Sequence, residues 1–436
     1  MSEIEISEKV RAADPSPSPR TKRVTFDRNL EDEDLVVHVK DTDLGAGLKT
    51  CWKNSRAPAA VLMCAAIILV ALPAAFQHGA PARQNTSSGV GLLVVGDWGR
   101  MGSDHQKTCA NAMAATAAEL REELLGHRAA DSTACDDPTS GSFVGVISTG
   151  DNFYDDGVTP ADFQTHLQGS FSNVYSHPAL RHLPWASVMG NHDYHGHTDV
   201  QIGVEMRESA GTTECGPRWD AMRSGYREYG GGAGGDAAGS PVVGVCFVDT
   251  SPWVWSYRNA TEKYRFDGFI GDDPGRASET WRDWEDDQIK SLEQCLLKSR
   301  ASWKIVVGHH GIVSYSEKHG SQPELIRVRL ALERLGAIAY LNGHDHNLQH
   351  VVPTKTANTP GAKAVAVRYI TTGAGSKLRD DVDLANAPPK GDGSLYFQTG
   401  TIPGFVAVRA SHAKIVFEHR GGDRGEVLYS DAVVAR

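Results

Sequence analysis

This 436-residue sequence predicts an α/β fold in which two β-sheets pack together and helices cover their outer faces. Two observations lead to this fold class. In the first part of the chain, apolar runs of strand length alternate with helix-like segments, which is typical of parallel strands joined by crossovers. Past Val351 the strand-like runs follow one another directly, as antiparallel strands do. A domain that begins with crossovers and closes with antiparallel strands indicates a two-sheet sandwich.

Four segments have helical character, and the third carries a clear apolar face. There Trp281, Trp284 and Ile289 recur at helical spacing. The predicted helices are His105–His127, Ala161–Gln168, Ser278–Lys298 and Gln322–Arg334. The predicted late strands are Ala364–Thr371, Gly404–Ala410 and Ala413–His419. The glycine-rich segment Gly230–Ser240 is predicted to be a loop insertion.

Five apolar runs end in a glycine that is followed at once by a side chain able to bind a metal ion. The runs are Leu92–Gly96, Phe143–Gly150, Trp185–Gly190, Trp303–Gly308 and the run that ends at Gly343. The side chains that follow them are Asp97; Asp151 and Tyr154; Asn191 and His192; His309; and His344 and His346. Functional groups gather beyond the carboxyl ends of strands in α/β sheets, so we expect one shared site.

The chemistry of these side chains divides them into two sets. The harder, anionic set comprises Asp97, Asp151, Tyr154 and His346. It suits a trivalent, oxygen-loving ion such as Fe³⁺. The mostly neutral set comprises Asn191, His309, His344 and the shared Asp151. It suits a divalent ion such as Fe²⁺, Zn²⁺ or Mn²⁺. The charge of the two ions exceeds that of the ligands, which favours an anionic substrate such as a phosphate.

The motifs around these residues resemble those of a known family. GDWG (Gly96–Gly99), GDNFY (Gly150–Tyr154), GNHD (Gly190–Asp193), VVGH (Val306–His309) and GHDH (Gly343–His346) are similar to the five motifs of the purple acid phosphatases. The flanking sequences DNFYDDGV, LPWASVMGNHD and LNGHDHNLQ look closest to the small, mammalian-type tartrate-resistant acid phosphatases. The resemblance covers Val90 to the C-terminus.

The resemblance implies a four-layer αββα metallophosphoesterase sandwich with a binuclear centre of Fe³⁺ and Fe²⁺, Zn²⁺ or Mn²⁺. It implies the two ligand sets given above, bridged by Asp151. His192 and His319 match histidines that contact the substrate phosphate or assist the reaction. His195 and His310 are expected to be bystanders, and His350 is expected to be structural.

The function implied is an acid phosphatase that hydrolyses phosphate monoesters of small molecules or phosphoproteins through a metal-bound hydroxide. A phosphodiesterase or nucleotide pyrophosphatase on the same fold is the nearest alternative. A non-catalytic surface binding module is an alternative from another class, although all seven ligand positions hold suitable residues. A di-iron protein that generates reactive oxygen is also left open. The net charge of −10 argues against a nucleic acid partner.

The N-terminal part predicts a membrane anchor. Residues 1–56 read as a disordered cytosolic tail, Ala57–Phe76 as a transmembrane signal anchor, 77–89 as a linker and 90–436 as the purple acid phosphatase-like catalytic domain. Basic residues lie close before the apolar segment, so the catalytic domain of this single-pass type II protein should be lumenal or extracellular. The alternative is a secreted, lysosomal or vacuolar protein released by cleavage. Sequons at Asn85 and Asn259 fit export.

Two features leave alternatives open. Cys215 and Cys246 flank the glycine-rich insertion and form one candidate pair, and Cys109 with Cys135 forms another, but spacing does not settle disulfide connectivity. The segment Ser251–Gly275 corresponds to a loop that represses the mammalian enzymes until it is cut. Its sequence does not resemble theirs, so regulation by proteolysis is only one possibility.

Overall fold

The computed structural model describes the chain in two compact units, Met1–Gln84 and Asn85–Arg436. In the second unit it describes residues 89–130, 133–137, 140–231, 239–267, 269, 280–353, 366–382 and 394–435. In the first unit it describes three strands, which are Ile4–Ile6, Lys22–Arg28 and Leu35–Lys40.

The three strands of the first unit pair in an antiparallel sheet. They lie within the segment 1–56, for which we expected a disordered tail. The disordered tail stays a prediction.

The expected anchor Ala57–Phe76 and residues 77–88 of the expected linker lie outside the described residues. Among the residues that the structure does describe, none belongs to a helix with both the length and the apolar character that membrane spanning requires.

The first sheet of the second unit is mixed. Its strands are β1 Gly89–Val95, β2 Asp136–Asp137, β3 Ser142–Ser148, β4 Trp185–Val188, β7 Trp219–Met222, β15 Gly404–Ser411, β16 Lys414–Gly421 and β17 Glu426–Val434. Between them in the chain, β5 Thr212–Thr213 and β6 Gly216–Pro217 form a separate hairpin. The order is β7-β4-β3-β1-β15-β16-β17, with β2 beside β3. The pairs from β7 to β1 are parallel and those from β1 to β17 are antiparallel.

The second sheet has the same mixed character. Its strands are β8 Gly225–Tyr229, β9 Val243–Phe247, β10 Trp303–Val307, β11 Ala339–Asn342, β12 Leu348–Val352, β13 Arg368–Thr372 and β14 Ser394–Thr399. The order is β8-β9-β10-β11-β13-β12-β14, and the pairs from β9 to β13 are parallel. The prediction that parallel strands come first and antiparallel strands close the domain holds along the path from β7 to β17 in the first sheet. In the second sheet the early strand β8 already pairs antiparallel with β9, and the late strand β13 pairs in parallel with β11.

Alternating side chains show how the two sheets pack. In β1, Val90, Leu92 and Val94 join a core with residues of the second sheet, whereas Leu93 and Val95 join the core beneath the helices. The residues of β1 therefore alternate between the other sheet and the helix layer, as the period of two requires. The result is the mixed α/β sandwich that the sequence predicts.

The helices lie on the outer faces. They are α1 Gln106–Leu125, α2 Phe163–His166, α3 Thr198–Ile202, α4 Val204–Ala210, α5 Trp255–Asn259, α6 Trp281–Lys298 and α7 Ile326–Leu335. Helix α1 covers β1, β3 and β15, while α6 covers β9 and packs on α7. The four predicted helices all occur, although Ala161–Gln168 contains only the single turn of α2 before the chain continues in a π-helical turn.

Two disulfides join distant parts of the domain. Cys135 pairs with Cys215 and Cys246 pairs with Cys295, whereas Cys109 is free and buried in α1. Both candidate pairs from the sequence are therefore wrong. Packing sets the partners: Cys246 on β9 faces the helix α6 that covers this strand, and Cys295 is on that helix.

We expect the double substitution Cys246→Ala with Cys295→Ala to lower the free energy of unfolding by about 4 kcal/mol, because the bridge closes a loop of 49 residues in the unfolded chain. Denaturant unfolding followed by fluorescence measures this change. Cys109→Ala is the control without a bridge. Peptide mapping without reductant that recovers a Cys215–Cys246 peptide would contradict the assignment.

Candidate metal centre

The carboxyl ends of β1, β3, β4, β10 and β11 meet at one end of the sandwich. They bring together all seven side chains that the sequence predicts as metal ligands. These are Asp97, Asp151, Tyr154, Asn191, His309, His344 and His346, each at most 6% exposed. Three of them, Asp97, Asp151 and His344, have φ angles of 59°, 52° and 68°. Non-glycine residues rarely adopt this left-handed conformation, and functional sites are where such strain concentrates.

Four ligand atoms converge in the first set. The phenolic oxygen of Tyr154 lies 2.9 Å from Oδ1 of Asp97, 2.8 Å from Oδ2 of Asp151 and 3.3 Å from Nε2 of His346. Nε2 of His346 is also 3.4 Å from Oδ1 of Asp97. Adjacent ligands of an octahedral ion with bonds of about 2.1 Å lie about 2.9 Å apart, so this spacing suits one hard ion.

The second set shares Asp151 with the first. Nε2 of His309 lies 3.1 Å from Oδ1 of Asn191 and 3.4 Å from Oδ1 of Asp151. The ring of His344 is 5.1 Å from that of His309, and ring nitrogens of the two residues lie within 4.8 Å of each other. Asp151 thus turns Oδ2 to the first set and Oδ1 to the second.

Hydrogen bonds from behind orient these ligands. Nδ1 of His309 lies 2.9 Å from the carbonyl oxygen of Thr149, to which it donates, and this leaves the lone pair of Nε2 for the site. The backbone N–H of His344 donates to Oδ2 of Asp97 over 2.8 Å, and this leaves Oδ1 facing Tyr154. The two sheets therefore fix each other's ligands.

The charge of the site fits two cations. Burial raises the pKa of Asp97 to about 8. The neighbouring Asp151 carboxylate also raises this pKa, whereas the charge of His309 lowers it. Burial and the two carboxylates raise the pKa of Tyr154 well above its ordinary value. Nε2 of His344 and Nδ1 of His346 are buried without a hydrogen-bond partner among the described residues. Buried carboxylates, a phenol and unpartnered imidazoles in one cluster are the donor set that hard and borderline metal ions require.

The two predicted catalytic histidines flank the two sets. His192 stacks on the ring of Tyr154 at 4.5 Å, and its Nδ1 lies 2.5 Å from the carbonyl oxygen of Asp155. The ring of His319 lies 4.2 Å from that of His344, and Arg379 donates from Nη1 to its Nε2 over 2.8 Å. Burial and the charge of Arg379 lower the pKa of His319 to about 4.

Two further acids of the motifs, Asp193 and Asp345, hold the loops in place and lie outside both ligand sets. Asp193 accepts backbone N–H groups of Gly190 and Asn152 and the amide of Gln201. Asp345 accepts the hydroxyl proton of Ser314 and the N–H of Gly320, the residue after His319. The GHDH motif therefore also positions the loop that carries His319.

Sequence reasoning missed several residues that the fold brings to the site. His310, expected to be a bystander, is 0% exposed and its ring lies 4.3 Å from that of His344. The guanidinium of Arg100 lies 3.7 Å from the centre of the Tyr154 ring. The only sequence signal for His310 was the pair of adjacent histidines after the run Trp303–Gly308.

His195 contacts His192 at 4.7 Å between rings but lies outside both ligand sets. His350 is buried against His419, away from both sets, in keeping with a structural role.

An aromatic wall stands beside the second set. The segment after Asp249 folds into a 3₁₀ turn and then α5. Tyr257 of α5 stacks on Tyr264, which follows the helix, with 4.2 Å between the ring centres. The ring of Tyr257 lies 5.5 Å from that of His310, and the ring of Tyr264 lies 5.0 Å from that of His195. Residues 268 and 270–275 of the segment Ser251–Gly275 lie outside the described residues.

Two glycines of the motifs are required by close approach. A Cβ on Gly343 would lie 2.4 Å from Oδ2 of Asp97, and one on Gly190 would lie 2.2 Å from Oδ1 of Asp151. No side chain tolerates such a contact without moving the carboxylate. Each of these glycines thus makes room for a ligand that belongs to a different motif.

Comparison with known proteins gives a consistent result. The family model of calcineurin-like phosphoesterases matches residues 92–348. Purple acid phosphatase 17 of Arabidopsis thaliana is 32% identical over 341 residues, which cover 77% of this chain and 82% of the relative. Purple acid phosphatase 7 of Arabidopsis thaliana is 30% identical over 391 residues, which cover 86% of this chain and 98% of the relative.

More distant matches agree. Tartrate-resistant acid phosphatase type 5 of Homo sapiens is 27% identical over 270 residues, which cover 61% of this chain and 72% of the relative. The solved structure of GAP50, the anchor in the inner membrane complex of Plasmodium, superposes with a TM-score of 0.54 at 20% identity, covering 80% of this chain and 90% of that chain. The likeness to GAP50 concerns the fold alone.

The sandwich, the clustered ligands and the matched family model place the chain among the calcineurin-like phosphoesterases. Within that class, it belongs to the purple acid phosphatases. The expectation of a phosphate monoester hydrolase with acid phosphatase activity is confirmed at the level of the family, which also implies the binuclear metal centre.

We expect Gly343→Ala to lower metal affinity about 10–100-fold, as loss of a ligand's support does, because the new Cβ displaces the Asp97 carboxylate. Metal content by mass spectrometry after dialysis, together with the melting temperature, measures the effect. Gly169→Ala is the control, since its φ is not positive and a Cβ there would meet only the side chain of Met101, which is 45% exposed. Full metal content in folded Gly343→Ala would show that Asp97 is not held as described.

Proposed function

We propose that the chain is an acid phosphatase whose seven clustered side chains hold Fe³⁺ and a divalent ion, Fe²⁺, Zn²⁺ or Mn²⁺. The iron ligands are Asp97, Asp151, Tyr154 and His346, and the divalent ligands are Asp151, Asn191, His309 and His344. The observation that supports this most is the position of the Tyr154 oxygen, within 3.3 Å of a ligand atom of each of the other three iron ligands. Phenolate and carboxylate oxygens are the donors that Fe³⁺ favours.

When bound, the two ions supply positive charge for the phosphoryl group and an activated hydroxide as nucleophile. The protein fixes where the ester lies. Asp151 would hold both ions, and Asn191 and His309 would hold the divalent one. His192 and His319 stand on opposite sides, one beside each ligand set.

We assign different tasks to the two histidines. His192 donates from Nδ1 to the carbonyl of Asp155, so only its imidazolium form also carries a proton on Nε2, and in that form Nε2 can pass this proton to the departing alkoxide. His319 accepts a hydrogen bond from Arg379, so its neutral ring carries its proton on Nδ1. The positive charge beside this histidine is that of Arg379. His319 and Arg379 therefore bind the substrate, and His192 is the general acid.

We further propose that the catalytic domain, 90–436, works outside the cytosol. Two disulfides support this, because such bonds persist in oxidising compartments. The exposed sequon at Asn259 also fits export. In this proposal Ala57–Phe76 anchors a type II protein with a cytosolic tail of residues 1–56 and a linker of residues 77–89. The alternative is a secreted, lysosomal or vacuolar form that cleavage releases from the membrane. Recovery of the domain from cells without detergent would support this alternative.

We expect the purified, metal-loaded protein to hydrolyse an aryl phosphate monoester faster than the matched diester at acidic pH. His192→Asn should lower kcat about 10²-fold or more because it removes the general acid. His177→Asn, at an exposed residue outside the site, is the control. A faster rate on the diester would make the protein a phosphodiesterase, and no rate on either would leave a binding module.

We expect a broad visible absorption band from ferric tyrosinate, and we expect Tyr154→Phe to lose it while keeping its fold. Tyr194→Phe is the matched control, since this buried tyrosine donates to Asp249 and lies outside both ligand sets. Spectra with and without mild reductant, beside metal analysis, measure the outcome. A colourless protein that carries only zinc or manganese would remove iron from the proposal.

A further inference from the structure

His310 is a buried imidazole at the metal centre that neither ligand set uses. It is 0% exposed, and its ring lies 4.9 Å from that of His309 and 4.3 Å from that of His344. Its Nε2 has no hydrogen-bond partner among the described residues. An unpaired buried polar atom costs about 1–3 kcal/mol, so its position at an active centre calls for a missing partner.

Thr250 determines which ring nitrogen of His310 carries the proton. The Thr250 hydroxyl oxygen accepts the backbone N–H groups of His309 and His310, each over 3.0 Å. These two bonds occupy both of its lone pairs. Nδ1 of His310 lies 2.9 Å from the same oxygen, so the hydroxyl proton must point to Nδ1. Nδ1 is therefore an acceptor, and the proton of the neutral ring is on Nε2.

This tautomer decides between two roles. Ring nitrogens of His309, His310 and His344 all lie within 4.8 Å of one another, so the three resemble a metal-binding group. A ligand needs a free lone pair, and Nε2 of His310 carries a proton instead. His310 is thus a hydrogen-bond donor beside His344, and its Nε2–H lacks an acceptor among the described residues.

The backbone and the surroundings hold this donor in place. The Tyr340 hydroxyl donates to the carbonyl oxygen of His310 over 2.8 Å, and the ring of Tyr257 packs 5.5 Å from its own ring. The imidazole is therefore fixed at both its backbone and its Nδ1 before any substrate arrives. Such a preorganised donor in a site shielded from water is effective in binding an anion.

We propose that His310 is a substrate-binding residue that donates from Nε2–H to a non-bridging oxygen of the phosphoryl group on the divalent side of the centre. The inference deepens the proposed phosphatase function and rests on it. In this inference the phosphate pocket contains a neutral donor, His310, in addition to the charged Arg379. This donor is separate from the metal ligands.

The test uses the full-length, metal-loaded protein and inorganic phosphate as the probe. His310→Phe keeps a ring but removes the donor, so the inhibition constant of phosphate and the KM of the aryl phosphate should each rise about tenfold, which is the effect of one hydrogen bond of about 1.4 kcal/mol. The metal content should stay that of the wild type. His419→Phe, at another histidine that is 0% exposed, is the matched control.

Two amide variants test the position of the donor independently of the Phe variant. His310→Gln places an amide N–H near the original Nε2 and should restore phosphate binding to within about threefold of the wild type. His310→Asn places its amide near Nδ1 and should not restore it. This comparison holds even if His310→Phe fails to fold.

Four results would overturn the inference. Loss of one metal equivalent in His310→Phe would make His310 a ligand. Unchanged phosphate inhibition in folded His310→Phe, or equal binding by the Gln and Asn variants, would remove the donor role while the phosphatase function stands. A wild-type protein that neither hydrolyses the monoester nor binds phosphate would overturn the function and this inference together.

Discussion

The carboxylate of Asp151 is the contact on which the rest of the site depends. It is 1% exposed, and its two oxygens serve two different groups of side chains, one around Tyr154 and one around His309. Placing this carboxylate and that of Asp97 in one buried cluster is unfavourable unless positive charge lies between them. The arrangement of both sheets answers this requirement. The strands β1, β3, β4, β10 and β11 end where the ligands enter the site, and hydrogen bonds from behind orient Asp97 and His309.

The support for the loops is divided between apolar and polar contacts. Trp98, next to Asp97, packs edge-on against Phe153, Trp185 and Trp219, which anchors the first two motifs in the core. Asp193 and Asp345 bind backbone N–H groups and fix the loops that carry His192 and His319. The motifs therefore contain two kinds of acid. One kind faces the ions, and the other gives the loops their shape, because a buried carboxylate that accepts several N–H groups is satisfied without a cation.

Sequence patterns predicted which seven side chains cluster because each of them lies shortly after a strand, and strand ends are visible as apolar runs. Long-range pairing was not visible in this way. The role of His310 depends on Thr250, 60 residues earlier, whose hydroxyl selects the ring tautomer. The partner of Cys246 depends on how α6 lies across β9, which spacing along the chain does not encode. Arg379 reaches His319 from a segment 60 residues away without any motif to mark it.

The glycines of the motifs have a consequence for how the protein acquires its ions. Gly343 ends a strand of the second sheet yet leaves space for Asp97 of the first, and the His344 N–H beside it binds the same carboxylate. Neither sheet alone contains a complete coordination sphere. We therefore expect a chain whose sheets have not docked to bind metal weakly. Ions that bind only the docked state stabilise it through their binding free energy.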